Sequence, residues 1–397
     1  MSDKIIKNHK LLIYLSSIFS FQVFIGPIIV FFYTKYMGLS FSQYFFLDGL
    51  IFVLLALFEI PSGYIADKFG RKKVLLISQF FLIISMIILI VMPSFTGALI
   101  SGFMLSLFSA LSSGNSSALI FELFSKNNCI NELEKTYAKS YSISIISSII
   151  FATISSITFQ YNMTIPIILD ILFLLISLIL NLFLLKDDLD YNPVHKNVKS
   201  IGFDKAELLN VTPIFIITAL WFVITRVSFS YYQPIFETFN IEKYYGITFA
   251  LFTVFCSLSS YIYSKIANKF SYKSTMILIS ILLALSFIGM SFNNIFFIIT
   301  MIFLQQIMRG IYPTVSNIIK NLYINPTTKF RVTYLSYASF ISSIFSGLML
   351  GFSSLSLRYY SLLSTIQILS ILLAILLFAT IILHNILLKK EFLIFYK

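Results

Sequence analysis

Apolar runs of twenty residues or more recur from one end of this sequence to the other, and that pattern rules out most folds at once. A helical run of that length matches the roughly 30 Å hydrocarbon core of a bilayer. Inside lipid every backbone N–H and C=O has to find its partner within the protein, so an isolated apolar run must be a helix. The period-two alternation of a membrane β-barrel is absent. Twelve spans are predicted, at about 11–35, 41–66, 73–93, 95–124, 137–160, 162–185, 211–238, 245–268, 274–292, 294–322, 332–353 and 359–388. The predicted fold class is an all-α membrane protein with twelve transmembrane helices. Turns such as Pro93-Ser94 and Asn293-Asn294 are so short that the helices they join are antiparallel neighbours.

Charge fixes the orientation. Only 11% of the residues are charged, yet the net charge is +12. Of the 28 Lys and Arg, Lys35, Lys243 and Arg358 fall in predicted outer turns, and Arg226 and Arg309 fall within spans. The other 23 collect on the side that holds the N-terminus, which makes that side cytoplasmic. Positive charge confined to turns controls topology and is not a nucleic-acid footprint. Contact with anionic lipid headgroups follows from it. The first apolar run follows Lys4, Lys7 and Lys10, is too long for a signal-peptide core, and is expected to remain as the first helix. Both termini are then cytoplasmic. Cys129 and Cys256 are set too far apart to suggest a disulfide framework. His9, His195 and His384 are scattered, so neither a metal nor any other cofactor is expected. The richness in Ile, Phe, Lys and Asn points to an AT-rich bacterial genome, and hence to the inner membrane.

One turn stands out. Gly63 to Lys73 reads GYIADKFGRKK, with Asp67, Lys68, Arg71, Lys72 and Lys73 crowded together. Glycines at 63 and 70 allow a tight turn and a close helix approach. With Gly63, Asp67, Gly70, Arg71 and Lys72 in place, this stretch resembles the signature loop between the second and third helices of the major facilitator superfamily. Ser264 to Ser274, SKIANKFSYKS, lies at the equivalent turn of the second half and shares five of eleven residues with it. A repeat of this kind is expected of transporters built from two related bundles. The predicted architecture is therefore two pseudo-symmetric six-helix bundles, 1–185 and 211–397, joined by a polar cytoplasmic linker at 186–210 with a short surface helix near Lys205. EIPSG at Glu59 to Gly63, RGIYPTVSN at Arg309 to Asn317 and RVTYLS at Arg331 to Ser336 are similar to patterns of a bacterial, exporter-like subgroup of the same superfamily.

The resemblance implies a central cavity lined by spans one, four, seven and ten, opened to each side in turn. Ionisable groups are expensive at membrane depth, at about 2.5–3.5 kcal/mol each on insertion scales, so they mark where to look. Arg226 and Arg309 lie near the middle of spans seven and ten and are candidate substrate contacts. They stay charged at any biological pH and cannot carry a proton. The plainer alternative for each is a structural ion pair. Asn115, Gln22, Tyr231 and Tyr312 complete the candidate binding set, although polar and aromatic side chains on such helices also serve packing. Asp48, Glu59 and Asp170 are the intramembrane acids and the candidates for proton coupling, because burial moves a carboxyl toward exchange near neutral pH. Asp48 and Glu59 are three turns apart on one face. Asp170 sits on span six, where a structural partner is the plainer role. Gly63, Asp67, Gly70, Arg71, Lys72 and Glu122 form the candidate conformational switch, with Glu122 and Arg71 as a breakable latch. Span one carries no acid and span four lacks an Arg-x-x-x-x-Gly pattern, so the resemblance to proton-driven drug exporters is incomplete.

No phosphate-binding Gly-x-x-x-x-Gly-Lys-Ser/Thr sequence is present, which leaves gradient-driven movement. The favoured reading is a monomeric antiporter of the cell membrane that couples protons to efflux of an amphipathic small molecule. The rival is a carrier for an organic anion or short peptide, held by Arg226 and Arg309, with uptake open as its direction. A membrane-embedded enzyme would need clustered catalytic groups, and a sensor would need a sizeable soluble domain. The sequence offers neither.

Overall fold

The computed structural model describes residues 2–19, 23–112, 120, 124, 132–184, 205–266, 271–324 and 331–388. Among them are twelve helices of seventeen residues or more and no strand. They are α1 (Ser2–Ile18), α2 (Phe41–Phe69), α3 (Arg71–Val91), α4 (Phe95–Ser112), α5 (Leu133–Tyr161), α6 (Ile165–Leu184), α7 (Lys205–Thr238), α8 (Tyr245–Ile266), α9 (Tyr272–Gly289), α10 (Ile295–Tyr323), α11 (Arg331–Ser356) and α12 (Leu362–Leu388). Eleven described helices, all but α1, are long and apolar enough to cross a membrane. The all-helical membrane fold is the one the hydropathy pattern predicts.

Three boundaries differ from expectation for identifiable reasons. The first predicted span is not one regular helix. After α1 the chain turns at Val23–Ile25, makes a 3₁₀ turn over Gly26–Ile28 and a single α turn over Ile29–Phe31, then widens to a π-helix over Phe32–Tyr36. Pro27 has no N–H to continue the helical ladder. The charged turn is also shorter than predicted. Helix α2 continues through Phe69, and Gly70 alone reverses the chain, with φ +90°. That backbone conformation favours glycine. Its N–H caps Ala66 O and its own C=O opens α3 by accepting from Val74 N. Finally, the helix expected near Lys205 is the start of α7, which runs unbroken past Pro213 and Pro234.

By its contacts the chain divides into two compact units, Met1–Lys196 with Ile241–Thr253, and Asn197–Asn240 with Val254–Lys397. In the first, α1 packs on α5 and α6, α3 on α4 and α6, and α2 on α4. Serines bind helices where backbones come close, with Ser85 and Ser101 bonded at 2.9 Å between α3 and α4. The first turns of α8 join this unit. Lys35 meets Glu242 at 2.9 Å, and Phe31 meets Tyr245 edge-on at 5.6 Å.

In the second unit α7 is the hub, packed against α9, α10, α11 and α12. The chain's single tryptophan, Trp221, is fully buried there and donates its Nε1–H to Ser280 Oγ of α9 at 2.8 Å.

The two units repeat each other's internal plan. The α1–α5, α1–α6, α3–α4 and α3–α6 packings of the first have counterparts in α7–α11, α7–α12, α9–α10 and α9–α12 of the second. The caps repeat too. Ser94 Oγ accepts from Gly97 N at the start of α4, and Asn294 Oδ1 accepts from Phe297 N at the start of α10, both at 3.2 Å. Asn162 opens α6 by accepting from Thr164 N, and Ser361 opens α12 by accepting from Ser364 N. Each pair is separated by about 200 residues, like the repeated charged turn. Polar N-caps are what a helix start needs at a lipid boundary, where the first N–H groups have no intrahelical acceptor.

Candidate substrate-binding site

One group of polar side chains of the second unit lies on facing stretches of α7 and α10. On α7, Arg226, Phe229 and Ser230 are three and four residues apart and share a face. On α10, Gln305, Arg309 and Tyr312 do the same, with Gln306 alongside. Arg309 is exposed, and its guanidinium carbon lies 5.0 Å from the centre of the Phe229 ring. Such a cation–π contact contributes about 0.5–2 kcal/mol, more as water is removed. It also holds the planar donor fork in a defined attitude. Arg309 Nη1 donates to Gln306 Oε1 at 3.5 Å. Gln306 Nε2 donates to Tyr232 Oη at 3.0 Å, and the Tyr232 hydroxyl donates to Gln305 Oε1 at 2.6 Å. Ser228 lies against the same hydroxyl. Gln305, Gln306 and Tyr232 are each 1% exposed. One turn along α7, Arg226 Nη1 donates to Ser230 Oγ at 2.6 Å.

The structure thus brings Arg226, Arg309 and Tyr312 into one neighbourhood. Tyr312 is buried beside Thr225 and within electrostatic range of Arg309. Tyr231 is fully buried beside Ser353 of α11, so it lies apart from that neighbourhood. Gln22, Asn115 and Glu122 lie outside the described residues, as does the Asp67 side chain. Gln305 and Gln306 are absent from the set drawn from the sequence. Their signal was present, as two adjacent amides in an apolar span one turn ahead of an arginine.

The acids belong to the first unit. Asp48 is buried on α2, within electrostatic range of Tyr33, and Glu59 is half-buried on the same helix. Asp170 on α6 has no exposed surface. Its Oδ1 accepts from Phe24 N at 3.1 Å and its Oδ2 from Ile25 N at 2.6 Å. Ser155 Oγ of α5 donates to Phe24 O at 2.5 Å. The irregular turn in the first span is therefore tied down by its neighbours, within a cluster formed by Phe19, Phe24, Phe151 and Phe173. That geometry supports an anchoring role for Asp170. Of the switch residues, Arg71 and Lys72 are half-buried at the start of α3, and Gly63 is an exposed helical position around which a Cβ would meet open space.

Solved transporters share this architecture. The chain is similar to a single-residue variant of the nucleoside transporter NupG, with TM-score 0.80 and 12% identity over 94% of this chain and 99% of that one. It is similar to a POT family transporter in complex with a thioalcohol-conjugated peptide, with TM-score 0.73 and 15% identity over 96% of each chain. It is also similar to a bacterial homologue of the human lysosomal transporter Spinster in an inward-facing, occupied conformation, with TM-score 0.68 and 12% identity over 98% and 97%. At these identities the likeness is one of fold. A search of curated protein sequences finds no match. The sequence profile of the Major Facilitator Superfamily matches residues 11–245, more than half of the chain. The chain belongs to the Major Facilitator Superfamily, the family its charged turn resembles.

Proposed function

We propose that this protein is a secondary active transporter that works by alternating access, and that its solute is an amphipathic organic anion. The observation that carries this reading is the exposed Arg309 guanidinium stacked on Phe229, one helical turn from Arg226. Two permanent cations supply the charge that holds a carboxylate, and Phe229 and Tyr312 supply apolar surface for the rest of the solute. The superfamily and the folds of nucleoside and peptide transporters support transport of a polar organic solute. Six-helix bundles at 1–185 and 211–397, a linker at 186–210, cytoplasmic termini, an inner-membrane location and a working monomer complete the reading.

A second reading is proton-coupled export of an amphipathic drug, toxin or metabolite. The buried Asp48 favours it, because such an antiporter needs a carboxyl shielded from bulk water. The candidate couplers are then Asp48 and Glu59 on α2, with Asp170 as an anchor. One assay separates the two readings. Liposomes holding the purified protein receive a pH gradient and a panel of cationic, neutral and anionic aromatic compounds, with proton and compound fluxes followed together. Movement of anions that Arg309→Gln lowers at least tenfold supports the first reading. Uphill export of cations or neutral compounds, abolished with its proton counter-flow in Asp48→Asn, replaces it with the second.

A further inference from the structure

The hydrogen bonds that link Arg309, Gln306, Tyr232 and Gln305 run in one direction. Arginine has only donors, and Gln306 turns its Oε1 toward Arg309 Nη1 at 3.5 Å. The Gln306 amide nitrogen then faces Tyr232 and donates to its oxygen. The tyrosine hydroxyl, which also lies against Ser228, donates to Gln305 Oε1. The Gln305 Nε2 group is left as the end of the chain, buried and with no hydrogen-bond partner among the described residues. An unmet donor at 1% exposure is a standing cost to the fold, and a flip of the Gln305 amide would set its Nε2 donor against the Tyr232 hydroxyl hydrogen. A charge at the head of a hydrogen-bonded chain also polarises each link after it, which makes the last donor stronger.

We infer that Gln305 Nε2 is a specificity-determining contact for a second acceptor oxygen on the solute, held in its donating orientation by the relay Arg309–Gln306–Tyr232. The inference rests on the anion reading above and deepens it. The preferred solute carries a carboxylate for the arginines and a carbonyl oxygen a few bonds away, as an N-acyl amino acid or a short peptide does. A simple aromatic acid fills only half of the site. Gln306 and Tyr232 are positioning residues in this scheme, because they act through Gln305.

Trp221, five residues before Arg226 on α7, gives an intrinsic fluorescence reporter for binding to the purified full-length protein. The probes are phenylpropanoate, N-acetylphenylalaninate and phenylpropylamine, which present one acceptor group, two acceptor groups and a cation. The wild-type protein is expected to bind N-acetylphenylalaninate about tenfold more tightly than phenylpropanoate, as one additional buried hydrogen bond gives. Gln305→Met abolishes that preference, so that the two acids bind with the same affinity. Tyr232→Phe removes most of the preference by freeing Gln305 to flip. The double variant Tyr232→Phe/Gln305→Met removes the Tyr232–Gln305 pair together, leaves only Gln306 Nε2 to find a new acceptor, and loses the preference. Survival of the preference in Gln305→Met or in the double variant overturns the inference. So does an Arg309-dependent wild-type site that does not distinguish the two acids, and in both cases the anion reading stands. If phenylpropylamine binds better than either acid, the anion reading itself fails and the inference falls with it.

Discussion

Two charged side chains at membrane depth illustrate opposite uses of charge. Arg309 is exposed and carries its donors outward over an aromatic ring, an arrangement suited to a visiting anion. Asp170 is enclosed and has both oxygens committed to backbone N–H groups of the first span. Its role follows from the turn at Val23–Ile25, whose N–H groups would otherwise have no acceptor in a lipid-like interior. Asp170→Ala leaves two buried donors unmet, each costing about 1–3 kcal/mol, and is expected to lower the unfolding temperature in detergent markedly. Asp170→Asn keeps one acceptor oxygen and is expected to lose about half as much. Equal stability of wild type, Asn and Ala variants would remove the anchoring role. The sequence showed that Asp170 mattered, because acids in apolar spans are expensive. It did not show the partner, because a backbone amide more than 140 residues away leaves no mark in composition or periodicity.

Helix packing depends on where small residues let backbones meet. At Gly310 an added Cβ would collide with Cys256 O and Ser259 Oγ, so α8 and α10 cross at that glycine. At Gly351 the same atom would meet open space. Gly310→Ala is therefore expected to destabilise by about 1–3 kcal/mol, as overpacking does, and to disturb the neighbouring Arg309. Gly351→Ala is expected to leave stability within about 1 kcal/mol of wild type or to raise it slightly. Thermal unfolding of the two variants side by side checks this, and comparable losses would contradict it. Spans, caps and short turns were legible in the sequence because lipid forces their pattern. The broken first span was less so. Pro27 was visible, but a long apolar run is equally hydrophobic whether or not its helix is regular. The reach of α2 through Phe69 was also hidden, since charged residues at a lipid boundary stay helical until a glycine with positive φ ends the helix.

On the scale of the whole molecule, the repeat is the strongest link between sequence and fold. Charged turns, polar caps and pairwise helix packings recur about 200 residues apart, and the family profile and solved transporter folds agree with that plan. What the repeat does not carry is chemistry. The arginine and amide cluster stands on α7 and α10, and the buried Asp48 stands on α2, with no acid at its counterpart on α8. Half-chain similarity specifies the scaffold, and departures from it identify where solute and coupling groups belong. The most direct test of the central claim is counterflow of radiolabelled phenylpropanoate in proteoliposomes, comparing wild type with Arg309→Lys and Arg309→Gln. The account predicts saturable exchange in the wild type, reduced about tenfold in Arg309→Lys, where the charge remains without the planar fork, and lost in Arg309→Gln. Exchange of equal rate and affinity in all three proteins would contradict a solute site built on Arg309.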